Sequence, residues 1–140
     1  MLEVSGATKT FHPGTINETR ALRGVDLRLE ESSFVIIIGT NGSGKSTMLN
    51  AVAGSFLLDE GTIRIAGKDI TNWAEHRRAT FIGRVFQNPF SGTAPGMTIE
   101  ENLVLAAKRG KFRGLGWASR RHLVDALKER VRTLNMNLEN

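Results

Sequence analysis

Apolar and polar positions alternate along much of the first thirty residues. Leu2 to Ala7 alternates weakly, and Ala21 to Leu29 places Leu22, Val25, Leu27 and Leu29 along one side. Between these stretches, Phe11-His12-Pro13-Gly14 opens a polar loop that continues to about Thr19. Alternation of this kind predicts half-buried strands, and proline with glycine predicts the connecting loop. The pattern therefore predicts two strands joined by a loop.

The next stretch changes to a wholly apolar run followed by glycines. Phe34 to Ile38 is apolar at every position, which is typical of a parallel strand buried on both faces. Gly39 to Gly44 contains three glycines, and Lys45 to Ala53 is suited to a helix that ends at Gly54. The residues expected to pack inward from this helix are Met48, Leu49, Val52 and Ala53. The order strand, glycine-rich loop, helix is the one that a phosphate-binding unit requires.

Two further strands are predicted before the composition changes. Gly61 to Ala66 places Ile63 and Ile65 on one face, and Gly67-Lys68-Asp69 follows as a turn. Phe81 to Phe86 is the other strand candidate, and Asn88-Pro89 ends it because proline supplies no ladder donor.

The last fifty residues have a helical pattern. Thr98 and Glu101 form a capping-box signature that begins a helix running to about Lys108. Ser119 to Leu134 is predicted as a second helix with one apolar stripe. The sequence thus predicts an α/β part over residues 1–88 and a partial helical subdomain over residues 89–140.

Charge is concentrated near the C-terminal end of the chain. The whole chain has a net charge of +5, whereas Lys108 to Arg132 contains nine basic residues against Asp125 and Glu129 and carries +7. Such a segment can face nucleic acid, anionic lipid or an acidic partner, or can be a solvated helical face. The chain contains no cysteine, which excludes disulfides and thiolate metal sites. No run of eighteen apolar residues occurs.

The glycine-rich loop matches the phosphate-binding motif G-x-x-x-x-G-K-[ST] at every specified position. Its residues are Gly39, Thr40, Asn41, Gly42, Ser43, Gly44, Lys45 and Ser46, followed by Thr47. A triphosphate needs many donors that converge on a small volume, and backbone N–H groups provide them when glycines let the chain wrap inward. The helix N-terminus adds unpaired N–H groups and the positive end of its dipole.

Three side chains complete this chemistry. Lys45 is a compact cation for the β- and γ-phosphates, Ser46 offers a hydroxyl to Mg²⁺, and Thr47 can bond the α-phosphate. The spacing does not fit a dinucleotide-binding fingerprint, in which a lysine has no role. The sequence therefore predicts a nucleoside triphosphate site, with ATP and Mg²⁺ as the expected ligands.

Two other residues have both a functional and an ordinary interpretation. Gln87 comes between a predicted strand and a turn, where its amide could reach a metal or a water beside the γ-phosphate, or could simply be a surface glutamine. Phe11 comes at a strand end, where it could stack on an adenine or pack in the core. The residues alone leave both alternatives open.

Three segments together resemble the ATP-binding subunits of ABC transporters. They are Gly39 to Thr47, Val85-Phe86-Gln87-Asn88-Pro89, and Met97-Thr98-Ile99-Glu100-Glu101-Asn102. The resemblance extends from Leu2 to about Leu138. It implies that Gln87 is the Q-loop glutamine, which contacts Mg²⁺ and the attacking water, and that Phe11 is the aromatic residue that stacks on adenine. It also implies that Gly54 to Gly67 leads into an antiparallel β-subdomain.

The resemblance has further implications for partners and location. The region after Gln87 resembles the helical subdomain that docks on transmembrane permease subunits. A second ATP-binding subunit is expected as a homodimer partner, and nucleic acid is not an expected partner. The expected location is cytoplasmic, peripheral on the inner face of the cell membrane.

The sequence also departs from the family pattern. Ser32-Ser33 occupies a turn where the family usually has a glycine. The signature motif, the Walker B aspartate, the catalytic glutamate that serves as general base and the switch histidine are all expected beyond Asn140, and His12, His76 and His122 match no switch position. We therefore expect the chain alone to bind nucleotide weakly and to be inactive as an ATPase. We also expect an unpaired apolar flank at Phe34 to Ile38.

The interpretation that accounts for most of these features is an α/β P-loop NTPase of the ABC ATPase type. It has an antiparallel β-subdomain and the start of a helical subdomain, and is truncated before Walker B. The predicted function is the ATP-binding subunit of an ABC transporter, in a bacterial importer. The alternatives are a non-transport ABC ATPase acting on nucleic acid or ribosomes, for which the +7 segment would be the contact surface, and another soluble P-loop enzyme.

Overall fold

A computed structural model describes residues 1–109 and 118–134 of the chain. The chain divides into two compact units, Met1–Ile82 and Gly83–Asn140. The first unit contains the glycine-rich loop, and the second contains Gln87 and the helical region.

The first unit is built on a four-stranded antiparallel sheet with the order β2-β1-β3-β4. Its strands are β1 (Leu2–Phe11), β2 (Thr19–Leu29), β3 (Glu60–Ile65) and β4 (Lys68–Asp69). The predicted strands at the start of the chain and after Gly61 are therefore confirmed. β1 is longer than predicted and reaches Phe11, because the hairpin pairing with β2 continues to the Phe11–Thr19 pair.

The alternating pattern places apolar side chains of the sheet on one buried face. Val4, Ala7, Leu22 and Ile63 are all buried there. They form a core with three residues from other elements, Met48, Ala51 and Ile70. Burying an aliphatic side chain of this size stabilises a fold by about 1.5–3 kcal/mol, so this cluster accounts for the association of the sheet with the helix after the loop.

That helix, α1 (Lys45–Ala53), has the bounds the sequence predicts. Gly54 ends it with φ 88°, and the Gly54 N–H donates to the carbonyl of Asn50 at 3.0 Å. Met48 and Ala53 are buried as expected, and Ala51 is fully buried. The expectation that Leu49 packs inward is wrong: Leu49 is 59% exposed, because it lies about 130° around the helix from the midpoint of the buried face that Met48 and Ala51 form.

Two predicted strands are not formed. Phe34 to Ile38 has no assigned strand or helix, and all five of its side chains are exposed. A strand depends on ladder hydrogen bonds to a neighbour, and none of the described residues pairs with this segment. Phe81 to Phe86 likewise lacks strand pairing within the described ranges. The prediction of a strand buried on both faces is therefore wrong, and what the structure shows at residues 34–38 is an exposed apolar segment.

The turn before Phe34 contains Ser32-Ser33, where the family usually has a glycine. Ser32 has φ 58°, in the left-handed region that favours glycine. Ser33 donates its N–H to the carbonyl of Glu30 at 3.3 Å and closes the turn. Serine at this position therefore keeps the backbone shape that a glycine would adopt, at the cost of local strain.

A buried arginine joins the end of α1 to the segment that follows β4. Arg78, at the end of α2 (Glu75–Arg78), is 1% exposed. Its guanidinium donates to the carbonyls of Ala51 and Val52 at 2.7 and 3.0 Å, and to those of Thr71 and Trp73 at 2.8 Å each. Burial lowers the pKa of Arg78 from its usual value. A cation at the last-turn carbonyls of α1 is placed favourably with respect to the helix dipole.

The second unit contains a short 3₁₀ helix, Pro89–Gly92, and two α-helices, α3 (Ile99–Ala107) and α4 (Ala118–Arg132). The predicted capping box is confirmed: Thr98 accepts from the N–H of Glu101 at 3.2 Å, and the Glu101 carboxylate accepts from the N–H of Thr98 at 2.9 Å. Val104 of α3 and Val131 of α4 are buried, and the two helices contact each other. In the part of the chain that the structure describes, no helix has the length and apolar content needed to span a bilayer.

Candidate functional site: a phosphate-binding loop beside an aromatic side chain

The loop from Gly39 to Gly44 turns back on itself directly before α1. Ser43 donates its N–H to the carbonyl of Thr40 at 3.3 Å. Gly42 and Gly44 have φ values of 81° and 89°, which side chains with a Cβ rarely adopt. The loop therefore has the inward curvature that a cradle of backbone N–H groups needs.

Gly44 also brings the loop into close contact with β2. A Cβ at Gly44 would lie 2.6 Å from the carbonyl oxygen of Ala21 and 3.4 Å from a methyl group of Leu22. No residue other than glycine fits between the loop and the strand without displacing one of them. The loop can therefore lie directly against the sheet because residue 44 is a glycine.

The first turn of α1 is free of groups that would compete with an anion. Gly44 is the N-cap residue and has no side chain to cap the helix, and the first turn contains no acidic residue. The helix is nine residues long, and its first N–H groups lack intrahelical partners. Backbone donors and the positive end of the helix dipole therefore point toward the same side of the loop.

Lys45 is held within the loop by backbone carbonyls. Its ammonium group donates to the carbonyls of Gly39 and Thr40, each at 2.7 Å. The side-chain oxygen of Ser43 lies 3.5 Å away. An ammonium group has three N–H donors, so Lys45 can keep both short bonds while it presents positive charge to a phosphate.

The loop and the end of β1 line a single cavity of about 320 Å³. Residues Asn41 to Thr47 lie along one part of its wall, and Phe11, Thr19 and Ala21 lie along another. Phe11 and the phosphate-binding motif, which are 28 residues apart in the sequence, are therefore neighbours in the fold. A cavity of this size, with many polar donors and one aromatic wall, is suited to a nucleotide.

Phe11 is supported by residues that sequence reasoning did not identify. The rings of Phe11 and Phe56 are nearly perpendicular, with centroids 5.2 Å apart and an interplanar angle of 85°. The Lys9 ammonium lies 5.9 Å from the Phe11 ring and 5.7 Å from the Phe56 ring. Edge-to-face packing and nearby cations are both favourable for aromatic rings.

Asp59 joins the same cluster. Its carboxylate accepts from the Lys9 ammonium at 2.6 Å and from the backbone N–H of Thr10 at 2.6 Å. These two donors, Lys9 first, hold the pKa of the Asp59 carboxyl below its usual range. Asp59 lies in the segment Gly54 to Gly67, and nothing in that segment's sequence indicated a link to β1.

The remaining predicted metal-site residues are placed as follows. Ser46 is exposed in the first turn of α1 and lines the cavity together with Thr47. Gln87 belongs to the second unit, is exposed and lies outside helices and strands. Among the described residues, no cluster of three or more His, Cys, Asp or Glu side chains could bind a metal. Ser46 lines the cavity with a hydroxyl group, an oxygen ligand of the type that Mg²⁺ accepts.

Comparison with known proteins identifies related sequences. The sequence matches the ABC transporter family over residues 22–139. The tyrosine transport ATP-binding protein of Clostridioides difficile is 36% identical over 99% of this chain and 55% of its own length. The bacitracin export ATP-binding protein BceA of Halalkalibacterium halodurans is 34% identical over 75% of this chain and 42% of its own length.

Solved structures show the same relationship. A dimeric, post-hydrolysis structure of the ATP-binding cassette MJ0796 bound to ADP and Pi superposes with a TM-score of 0.72 and 29% identity. It covers 92% of this chain and 56% of the cassette. The chain thus spans about half the length of the relatives it matches. With its phosphate-binding loop, its adjoining sheet and this match over most of its residues, the chain belongs to the ABC transporter family.

Proposed function

We propose that this chain binds Mg²⁺–ATP, with the triphosphate in the loop from Gly39 to Thr47 and the adenine against Phe11. The observation that carries the proposal is the shared cavity, in which a phosphate cradle and an aromatic ring line one space of about 320 Å³. A cradle alone would fit any phosphate. The aromatic wall gives the base a surface on which to stack.

Each part of the loop has a separate task in this proposal. The N–H groups at the start of α1 hold phosphate oxygens, and Lys45 compensates the charge of the β- and γ-phosphates. The hydroxyl of Ser46 is a ligand for Mg²⁺, which neutralises charge on the phosphates when it is bound. Gln87 is proposed as a further contact for the ion and the attacking water, on the basis of the family resemblance alone.

We further propose that the binding site serves transport across a membrane. Membership of the ABC transporter family supports this role. So do the functions of two relatives, which are tyrosine transport and bacitracin export. The partners proposed are permease subunits, contacted by the region after Gln87, and a second ATP-binding subunit. The dimeric state of the cassette MJ0796 supports the second partner.

The proposed direction is import, at the inner face of the cell membrane. Its basis is the likeness of the Asn88-Pro89 turn and of the Glu101-Asn102-Leu103 helix to those of bacterial import systems. The relatives include a tyrosine transport protein as well as export and release proteins, so they support transport in either direction. Co-sedimentation of the chain with membranes that contain its permease would support the proposed location at the membrane. Recovery with RNA or DNA instead would contradict it.

The nucleotide-binding part is tested by isothermal titration calorimetry with Mg²⁺–ATP. Lys45→Ala removes the cation of the loop and should abolish measurable binding. Lys108→Ala is the matched control, since it removes one exposed lysine in the second unit and should leave binding unchanged. Equal affinities of the wild-type chain and Lys45→Ala would contradict the proposal.

A further inference from the structure

We propose that Phe56 and Asp59 are positioning residues for Phe11, and that they determine how strongly the site prefers a nucleotide over bare triphosphate. This inference rests on the function proposed above. Neither residue lines the cavity that Phe11 shares with the loop. Both act on the site through the end of β1.

The pairing of β1 with β3 stops just before Phe11. Its last pair is Thr8 with Glu60, and the N–H of Asp59 donates to the carbonyl of Thr8 at 3.0 Å. Beyond that point the Asp59 side chain replaces the ladder, because its carboxylate accepts from the N–H of Thr10 at 2.6 Å. The backbone on the β3 side of Phe11 is therefore held by a side chain and not by a strand.

Phe56 restricts the orientation of the Phe11 ring. Phe56 packs against the core of the first unit and contacts Phe11 nearly at right angles, with the centroids 5.2 Å apart. Phe11 has two torsion angles that could turn its ring, and an edge-to-face contact with an anchored neighbour restricts both. Without this support the ring would lose part of its preferred orientation toward the cavity.

Lys9 connects the two supports. Its side chain is 17% exposed, its ammonium group lies 2.6 Å from a carboxylate oxygen of Asp59, and it lies within 6 Å of both ring centroids. The carboxylate balances this charge beside the aromatic pair. Asp59 therefore positions both the backbone before Phe11 and the cation next to its ring.

The supports are also continuous with the phosphate site through α1. The helix begins in the phosphate loop, ends at Gly54, and leads directly into Phe56. The N–H of Ser55 donates to the carbonyl of Asn50 at 3.0 Å, which fixes the chain direction after the helix. One helix thus places the phosphate cradle at its start and the support of the aromatic ring after its end.

The test compares the affinities of Mg²⁺–ATP and inorganic triphosphate for the whole chain, by calorimetry. Phe56→Leu keeps an apolar side chain but removes the ring. Asp59→Asn keeps the shape but replaces one of the two acceptor oxygens with an NH₂ donor, so one of the two hydrogen bonds is lost. We expect each to weaken ATP binding by about two- to tenfold and to leave triphosphate binding unchanged. Leu57→Ala, an exposed neighbour, should change neither affinity.

Two further variants separate this inference from the proposed function. Phe11→Ala should lose the preference for ATP over triphosphate, and Lys45→Ala should lose both ligands. If these two behave so while Phe56→Leu and Asp59→Asn retain the full preference, the positioning role is overturned and the proposed function stands. An equal loss of both ligands in Phe56→Leu would also overturn it, because a role specific to Phe11 does not affect the phosphates. If Phe11→Ala keeps the preference, the stacking proposal itself fails.

Discussion

Gly44 lies so close to Ala21 that a Cβ on the glycine would come within 2.6 Å of the alanine carbonyl oxygen. Gly42 also has a positive φ, but a Cβ there would meet nothing within 4 Å. Gly44→Ala should therefore lower the free energy of unfolding more than Gly42→Ala does. Both variants have a backbone strain of about 1–3 kcal/mol, whereas only Gly44→Ala adds a clash with the Ala21 carbonyl. Urea unfolding of the two variants measures this difference. Equal losses would show that the loop is not held against β2.

Arg78 gives a second prediction, about stability. Its guanidinium supplies donors to four backbone carbonyls and is 1% exposed. Arg78→Met would remove the side-chain donor of the Val52, Thr71 and Trp73 carbonyls and leave the Ala51 carbonyl only the Gly54 N–H, so the free energy of unfolding should fall by about 3 kcal/mol or more. Arg77→Met is the control on the same helix: Arg77 is exposed and lies 4.4 Å from the Trp73 ring, and its loss should cost less than about 1 kcal/mol. Similar losses for both variants would contradict the role given to Arg78.

The hydrogen bonds of Asp59 predict a specific pH dependence. Because Lys9 and the Thr10 N–H lower the pKa of the Asp59 carboxyl in the folded chain, its contribution to stability is present above the unfolded-state pKa of about 4. That contribution is lost as the pH falls through the lower folded-state pKa. Wild type should thus be more stable than Asp59→Asn at pH 7, and the difference should shrink below about pH 4. A difference that stays constant from pH 7 to pH 2 would contradict this account.

The exposed segment Phe34 to Ile38 predicts self-association. Phe34 is 87% exposed, Ile36 is 68% exposed and Ile38 is 88% exposed, and consecutive exposed apolar residues favour pairing between chains. Sedimentation velocity should show concentration-dependent association that Ile36→Lys reduces. Ile16→Lys is the control, because Ile16 is fully exposed but isolated in the loop between β1 and β2. A wild-type chain that stays monomeric at high concentration would overturn this prediction.

The sequence was sufficient where local chemistry decides the structure. The bounds of α1 follow from the glycines at its two ends, and the start of α3 follows from the capping box of Thr98 and Glu101. The motif from Gly39 to Ser46 predicts a phosphate cradle for the same reason, since glycine placement and the following helix are local features. These elements needed no knowledge of distant partners.

Less of the structure could be predicted where contacts between distant residues decide it. Phe34 to Ile38 has the composition of a buried strand, but strand formation needs a neighbour, and the described residues supply none. Asp59 and Thr10 are 49 residues apart, so their hydrogen bond leaves no pattern in the chain. Arginine side chains are usually exposed, so nothing in the sequence indicates that Arg78 is buried among backbone carbonyls, as the structure shows.

The central claim is that one cavity binds phosphates with the loop and the base with Phe11. At 15.4 kDa the chain is small enough for residue-specific amide NMR spectra, which allow a titration with Mg²⁺–ATP and another with inorganic triphosphate. ATP should shift the amide signals of residues 39–47 and of Phe11, whereas triphosphate should shift those of residues 39–47 and leave Phe11 unchanged. Signals of Phe11 that respond to neither ligand, or loop signals that ATP does not shift, would contradict the account.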